Sequence, residues 1–292
     1  MYSIISLKVP VNMVMVAMVT GSMVMGNMAM ESMGAEDMAM EGMDTKKKGK
    51  GRRIDLHMHI LPGVDDGAET MDDAVEMAEI SARSGIGIAA ATPHGDFSKG
   101  NPKEYLRICS EKLESLRAEL IRRKIPLKVV SGMELLVNEA LIEWAGENKL
   151  PGINGSRWLL VEFYFDISLS RALRMADELT ALGYRLILAH PERYDLARRM
   201  PENLKAFYDR NFLLQVNKGS VLQEFGRKAF RAADWMLSRG IAGAVASDAH
   251  DPVLRTPDME ETTDILEMYY GRDAAEVLLE KNPGRIIRES RR

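Results

Sequence analysis

The chain has 292 residues, enough for one large α/β domain or two small ones, and a formal net charge of -4. That slightly acidic balance argues against general nucleic-acid binding, which favours a basic surface, so no nucleic-acid partner is expected. Cys109 is the only cysteine, which excludes a disulfide framework and points to a reducing compartment, the cytoplasm. It also excludes thiolate phosphatase chemistry. The residues after it, Ser110-Glu111-Lys112-Leu113-Glu114-Ser115, form a charged helical run without the glycines and arginine of a phosphate loop.

Residues 1 to about 44 stand apart in composition. Met13, Met15, Met18, Met23, Met25, Met28, Met30, Met33, Met38, Met40 and Met43 recur among Val, Ala, Gly and Ser. The reading adopted is a low-complexity extension, disordered or the product of a mis-assigned start. A signal peptide fits less well, because the Val14–Val19 apolar run after Lys8 is broken by Thr20, Gly21 and Ser22. A membrane span is interrupted before it reaches full length, and spaced methionines alone are weak evidence for thioether copper. Residues 45–53, with Lys46-Lys47-Lys48-Gly49-Lys50-Gly51-Arg52-Arg53, read as a solvated basic linker, with anionic-surface binding as the alternative.

From Ile54 onward apolar runs alternate with amphipathic ones. The pattern predicts strands over Arg53–His59, Ile86–Thr92, Leu127–Gly132, Trp158–Phe163, Arg185–Ala189, Phe212–Val216 and Ile241–Ala246. Helices are predicted over Met71–Ser84, with Thr70 as N-cap, and over Pro102–Lys124, Asn138–Glu147, Ser170–Leu182, Pro201–Asp209, Val221–Ser238 and Glu260–Glu280. Seven β-then-α units with short loops predict a parallel barrel or a doubly wound sheet.

The histidines decide between these. His57, His59, His94, His190 and His250 are the full set, and every one lies at the end of an apolar run. Glu134 and Glu162 lie at two further strand ends, Asp248 lies two residues before His250, and Asp65 and Asp66 follow the first strand. In a closed barrel all of these ends meet at one mouth, so a seven-unit α/β barrel is expected. His57 and His59 point the same way from their strand, as do Asp248 and His250. This is more imidazole and carboxylate than one ion can use, which implies two or three ions. The absence of thiolate favours Mn2+, Fe2+ or Zn2+. Such a site suits phosphoryl hydrolysis, and Arg193 and Arg255, in loops after two of these strands, are placed to hold a phosphate.

Seven motifs carry a family resemblance. They are His57-x-His59, Leu61-Pro62-Gly63-Val64-Asp65-Asp66-Gly67, Ala91-Thr92-Pro93-His94, His190-Pro191-Glu192-Arg193-Tyr194, Gln215-Val216-Asn217-x-Gly219-Ser220, Phe225-Gly226 and Ala246-Ser247-Asp248-Ala249-His250. Together they resemble the polymerase-and-histidinol-phosphatase (PHP) superfamily. Within it they are most similar to the bacterial manganese-dependent protein-tyrosine phosphatases of capsule and exopolysaccharide operons. The resemblance covers Ile54 to residue 292. It implies a distorted (β/α)7 barrel, of the TIM-like kind, and a trinuclear metal centre at the C-terminal ends of its strands. The ligands implied are His57, His59, Asp66, His94, Glu134, Glu162, His190, Asp248 and His250. Arg193 and Arg255 would hold the phosphate, and Asp248 or a histidine would protonate the leaving phenolate. The implied substrate is phosphotyrosine in the tail of an autophosphorylated bacterial tyrosine kinase, with membrane contact only through that kinase. One departure is Gly95, where relatives often carry another histidine.

The bland readings differ in weight. Core histidines would scatter, whereas five of five lie at strand ends. An unpaired Glu162 inside Leu159-Leu160-Val161-Glu162-Phe163 would be costly to bury. Loop arginines are usually solvated, Asn217 and Ser220 fit a simple turn, and Tyr164 and Phe165 fit either core or cleft. Histidinol phosphate, a phosphodiester or a non-catalytic metal-binding role are the alternatives for the site as a whole.

Overall fold

The computed structural model describes residues 53–289. The low-complexity extension, with its signal-peptide, membrane-span and copper readings, lies outside the described residues, as does the linker up to Arg52. Among the described residues, no helix is long and apolar enough to cross a membrane.

Among the described residues, nine parallel strands form the centre. They are β1 (Arg53–Met58), β2 (Ile86–Ala91), β3 (His94–Gly95), β4 (Lys128–Ser131), β5 (Glu134–Leu136), β6 (Trp158–Glu162), β7 (Arg185–Ala189), β8 (Leu213–Asn217) and β9 (Ala242–Ala246). One sheet has the order β1-β2-β4 and the other β3-β5-β6-β7-β8-β9. The nine strands follow seven lines, because two of the predicted strands are each continued, after a break, by a short strand that the pattern did not predict. Thr92-Pro93 separates β2 from β3, and Gly132-Met133 separates β4 from β5. The lower halves, β2 and β4, pair with each other and, through β2, with β1; the upper halves, β3 and β5, pair with each other and, through β5, with β6.

The ring closes where the end of β1 meets the segment after β9. The bridge pairs Met58 with Ala249, and the Asp248 and His59 amides donate to His57 O and Ala249 O, both at 2.9 Å. The result is the expected barrel, distorted by a split between β4 and β6. The turn Ile153–Gly155 wedges into that split. Gly132 leaves room for it, since a Cβ there would lie 2.7 Å from Ile153 Cδ1.

The barrel interior is filled by Ile54, Leu56, Ala90, Val130, Ile153, Leu160, Ile187, Ala189, Leu213 and Ala244, with Ile286 and Ile287 packed among them. A second, larger apolar layer lies between the strands and the surrounding helices. This two-sided burial accounts for the nearly continuous apolar runs of the strands.

The helices are α1 (Met71–Arg83), α2 (Pro102–Arg123), α3 (Glu139–Glu147), α4 (Leu169–Ala181), α5 (Asp195–Arg199), α6 (Lys205–Tyr208), α7 (Lys218–Val221), α8 (Gly226–Ser238), α9 (Glu260–Tyr269), α10 (Arg272–Glu276) and α11 (Asn282–Glu289). Thr70 caps α1 through a reciprocal capping box with Asp73, as its spacing predicts. Two expected helices are divided. The run from Val221 is broken by left-handed residues at Gln223 and Gly226, and the run from Glu260 by Gly271. The chain continues helical past the expected end at Glu280, through a π turn into α11.

Tyr194 ties this frame to the site. It is fully buried beside β7, accepts from the Phe163 amide and donates to Ala189 O, each at 3.1 Å. Tyr194→Phe strands a buried donor and acceptor. It is expected to lower the unfolding free energy by about 1–3 kcal/mol in denaturant titration. An unchanged midpoint and slope would show that neither bond matters.

Candidate metal centre

All five histidines and the carboxylates Asp66, Glu134, Glu162 and Asp248 meet at the C-terminal mouth of the barrel. Three overlapping sets bring their ligand atoms within 4.8 Å of one another: His59, Asp66, His94 and His250; His57, His59, Glu134 and Asp248; and His94, Glu134 and Glu162. His190 adjoins the third set, with Nε2 2.7 Å from Glu134 Oε1 and 3.9 Å from Glu162 Oε2.

Glu134 is the hub. It is fully buried, and its Oε2 lies 3.1 Å from His94 Nδ1, 3.2 Å from His57 Nε2 and 3.3 Å from His59 Nε2. Asp248 Oδ1 faces the same two imidazoles at 3.3 and 3.5 Å. The backbone at His190 and Asp248 is left-handed, with φ of 33° and 51°. Strain of this kind in non-glycine residues is held only by its surroundings and concentrates at functional sites.

Hydrogen bonds behind the cluster fix the tautomers. His57 Nδ1 donates to Gln215 Oε1 at 3.0 Å, His59 Nδ1 to Asp65 Oδ2 at 2.7 Å, and His250 Nδ1 to the Asp248 carbonyl at 3.0 Å. Each therefore turns an Nε2 lone pair toward the centre, the arrangement of metal-ligating histidines. Asp65 also accepts from the His94 and Gly67 amides. Asp65 thus stands behind His59, whereas Asp66 Oδ1 lies 3.3 Å from His94 Nε2 and 3.7 Å from His250 Nε2. Gly67 lets this loop lie on β1, since a Cβ there would fall 2.1 Å from His59 O.

The donor set suits cations. His57 Nε2 and His59 Nε2 are 3.1 Å apart with both Nδ1 protons already engaged. Two such nitrogens at that distance repel unless a proton or a cation lies between them. Glu134 Oε2 is buried without a hydrogen bond although three imidazole nitrogens surround it. Both features fit oxygen and nitrogen ligands of borderline divalent ions.

The field of the carboxylates explains the proton affinities. Burial alone would lower His94, but Glu134 and Glu162 outweigh it and push its pKa up to about 10. Burial likewise opposes His59, which Asp248, Asp65 and Glu134 raise well above the usual imidazole range. His250 goes the other way, to about 4, through burial and then the charge of His59. Burial would raise Asp65, yet His59 holds it at about 2.

His94 therefore carries a proton at pH 7 and must release it to act as a ligand. Loading the stripped protein with Mn2+ at pH 7 is expected to expel protons, and affinity should rise with pH through the neutral range. Isothermal titration in buffers of different ionisation enthalpy reads this directly. A heat independent of buffer would contradict it.

Asp248 joins the cluster to the arginines. Its Oδ2 accepts from Arg255 Nη2 at 2.7 Å, Arg193 Nη1 at 3.3 Å and Asn217 Nδ2 at 2.5 Å. The Arg193 guanidinium is held between two rings, 5.1 Å from the Phe165 centroid and 4.3 Å from that of Phe225. Asn217 does form the expected turn, accepting from the Gly219 amide, but also reaches Asp248.

Sequence reasoning left Asp55 without a role, placed Gln215 and Phe225 only within motifs, and left Phe165 between core and cleft. Asp55 is fully buried and accepts from the His57 and Ser247 amides at 3.1 Å, aligning β1 with the segment after β9. A lone polar residue inside an apolar strand was the available signal for Asp55 and for Gln215.

A parallel barrel whose strand ends gather such a cluster beside two arginines has the architecture of a metal-dependent hydrolase. The chain belongs to the capsular polysaccharide synthesis CpsB/CapC family, whose model matches residues 53–288. It is 31% identical over 227 residues to the tyrosine-protein phosphatase YwqE of Bacillus subtilis, covering 78% of this chain and 89% of that relative. To the tyrosine-protein phosphatase CpsB of Streptococcus agalactiae it is 27% identical over 240 residues, covering 80% and 98%. Among solved structures, it superposes at a TM-score of 0.74 and 30% identity on one from work on YwqE of Bacillus subtilis and CpsB of Streptococcus pneumoniae, termed unique metal-dependent tyrosine phosphatases. That match covers 81% of this chain and 94% of the solved one. A lactonase from Listeria monocytogenes, at 12% identity and a TM-score of 0.52, shares the fold alone.

Proposed function

We infer that this chain is a metal-dependent protein-tyrosine phosphatase of the cytoplasm. Its substrate is a phosphotyrosine protein, the tail of an autophosphorylated bacterial tyrosine kinase that regulates capsule or exopolysaccharide synthesis. The observation that carries the reading is the shared geometry of Asp248, with one oxygen toward the histidine cluster and the other toward Arg193 and Arg255.

Three Mn2+ ions fit the donor set, with Fe2+ or Zn2+ as substitutes. His57, His59, Glu134 and Asp248 would hold one ion. Asp66, His94 and His250 would hold a second, and Glu134, Glu162 and His190 a third. When bound, such ions lower the pKa of water and neutralise phosphoryl charge.

The side chains do the rest. Arg255 and Arg193 already converge on one carboxylate oxygen, so their forks are set for a phosphoryl group beside it. Gln215 and Asp65 keep His57 and His59 in one tautomer and prevent reorientation during turnover. Asp248, held ionised by the imidazoles that face it, orients the two guanidiniums, and the phenolate, a good leaving group, departs without a proton from it. Exposed apolar residues flank the site in sequence: Tyr164 and Phe165 follow Glu162, while Val253 and Leu254 precede Arg255. An open, apolar rim suits a peptide bearing an aryl phosphate better than a small polar ester.

The test is hydrolysis by metal-stripped protein with Mn2+ restored, comparing a phosphotyrosine peptide with histidinol phosphate. Restored activity that prefers the peptide is expected. Preference for histidinol phosphate would overturn the substrate, and inactivity on both with metal bound would overturn the phosphatase reading.

A further inference from the structure

We propose that the opposite end of the barrel carries a binding pocket for a soluble oligophosphate, a small anion with two or more linked phosphates. A cavity of about 880 Å3 opens there, lined by Lys149, Arg157, Arg185, Arg285, Arg288 and Glu289. Arg157 and Arg185 sit at the N-terminal ends of β6 and β7, while Arg285 and Arg288 belong to α11. The catalytic side chains lie at the other ends of these strands, so this pocket is a separate site.

Its charge is one-sided. Five cations face one carboxylate, and Glu289 is already engaged, accepting from Arg185 Nη1 at 2.9 Å and Trp158 Nε1 at 2.8 Å. Among the described residues, no carboxylate lies within ion-pair distance of Lys149, Arg157 or Arg288. Arg157 is nevertheless oriented, donating Nη1 to Gly183 O at 3.3 Å. Like charges gathered around a concavity repel and attract multivalent anions, and guanidinium forks match phosphate oxygens pairwise.

Size and shape narrow the ligand. The volume falls in the range of small-molecule sites, about 300–1,000 Å3, and a concave site suits a compact anion better than a flat surface. Tyr184 supplies a wall fixed by the Leu150 amide, which donates to its hydroxyl at 2.9 Å. The basic run Lys46–Arg53 leads in sequence into β1, whose first residue lies at this same end of the barrel.

The probe is inorganic tripolyphosphate, titrated calorimetrically into the full, manganese-loaded chain and into an Arg157→Glu/Arg288→Glu variant. Both side chains are exposed, and the metal centre is common to the two proteins, so binding there cancels in the comparison. One binding event present in the wild type is expected to weaken about ten-fold or more in the variant. Phosphatase activity should be unchanged. If Arg157→Glu/Arg288→Glu alters folding by circular dichroism, the Arg288→Ala variant takes its place, with the same direction of effect expected. Equal tripolyphosphate binding by wild type and variant would overturn the proposal. So would retention on anionic vesicles without any tripolyphosphate binding.

Discussion

Glu134→Gln is expected to strip the centre of metal and to lower kcat/KM by about a thousand-fold or more. The substitution keeps shape and volume, so the effect is one of charge and donor character. Among the described residues, Glu134 is the carboxylate that approaches four histidines: His57, His59 and His94 through Oε2, and His190 through Oε1. An amide there presents one weaker acceptor and one N–H, and the N–H faces lone pairs it cannot serve as a cation would. The carboxylate also sustains the raised proton affinity of His94. Losing it should therefore lower that affinity while weakening every ion the residue bridges. Metal content by mass spectrometry and kinetics on a phosphotyrosine peptide give the answer together. A variant with a full complement of ions and near-normal turnover would show that Glu134 is structural.

Arg255→Ala separates substrate binding from metal binding. It is expected to cost about a hundred- to a thousand-fold in kcat/KM, the range for removing one donor aimed at developing charge, with metal content retained. The loop should survive, because its backbone is held independently of the guanidinium. Asp251 accepts from the amides of Val253 at 2.7 Å, Leu254 at 2.5 Å and Arg255 at 3.0 Å, while Arg255 O accepts from His250 N at 2.9 Å. Arg255→Lys should recover only part of the loss, since an ammonium cannot present two parallel donors. If Arg255→Ala instead released metal, the side chain would be a positioning element for Asp248 rather than a phosphate contact.

The barrel was legible because its strands are buried on both faces, and such runs announce themselves locally. Strand bounds in the sequence and structure agree to within one or two residues, as at Trp158 and Arg185. The breaks at Thr92-Pro93 and Gly132-Met133 were not legible. Strands as short as His94–Gly95 have no period, and the split that they create is defined by Ile153, which arrives from another segment. The site followed the same logic. Histidines at strand ends are a local signal that the topology gathers, so their meeting could be foreseen. The aromatic sandwich on Arg193 could not. Phe165 and Phe225 are distant in sequence, and neither the core-or-cleft place of one nor the Phe-Gly motif of the other shows that they share an arginine.

The packing of Ile286 and Ile287 beside Ile54 and Leu56 has a consequence for biosynthesis. The first strand emerges from the ribosome early, yet the residues that complete its interior face are made more than two hundred positions later. Contacts of such long sequence separation form slowly, because chain closure must precede them. Until they form, the apolar lining of a nearly complete barrel stays open at one end. The nascent chain thus has a window of exposure in which chaperone holding, rather than local folding speed, governs yield. A translational pause at any point before Ile286 clears the ribosome would lengthen that window.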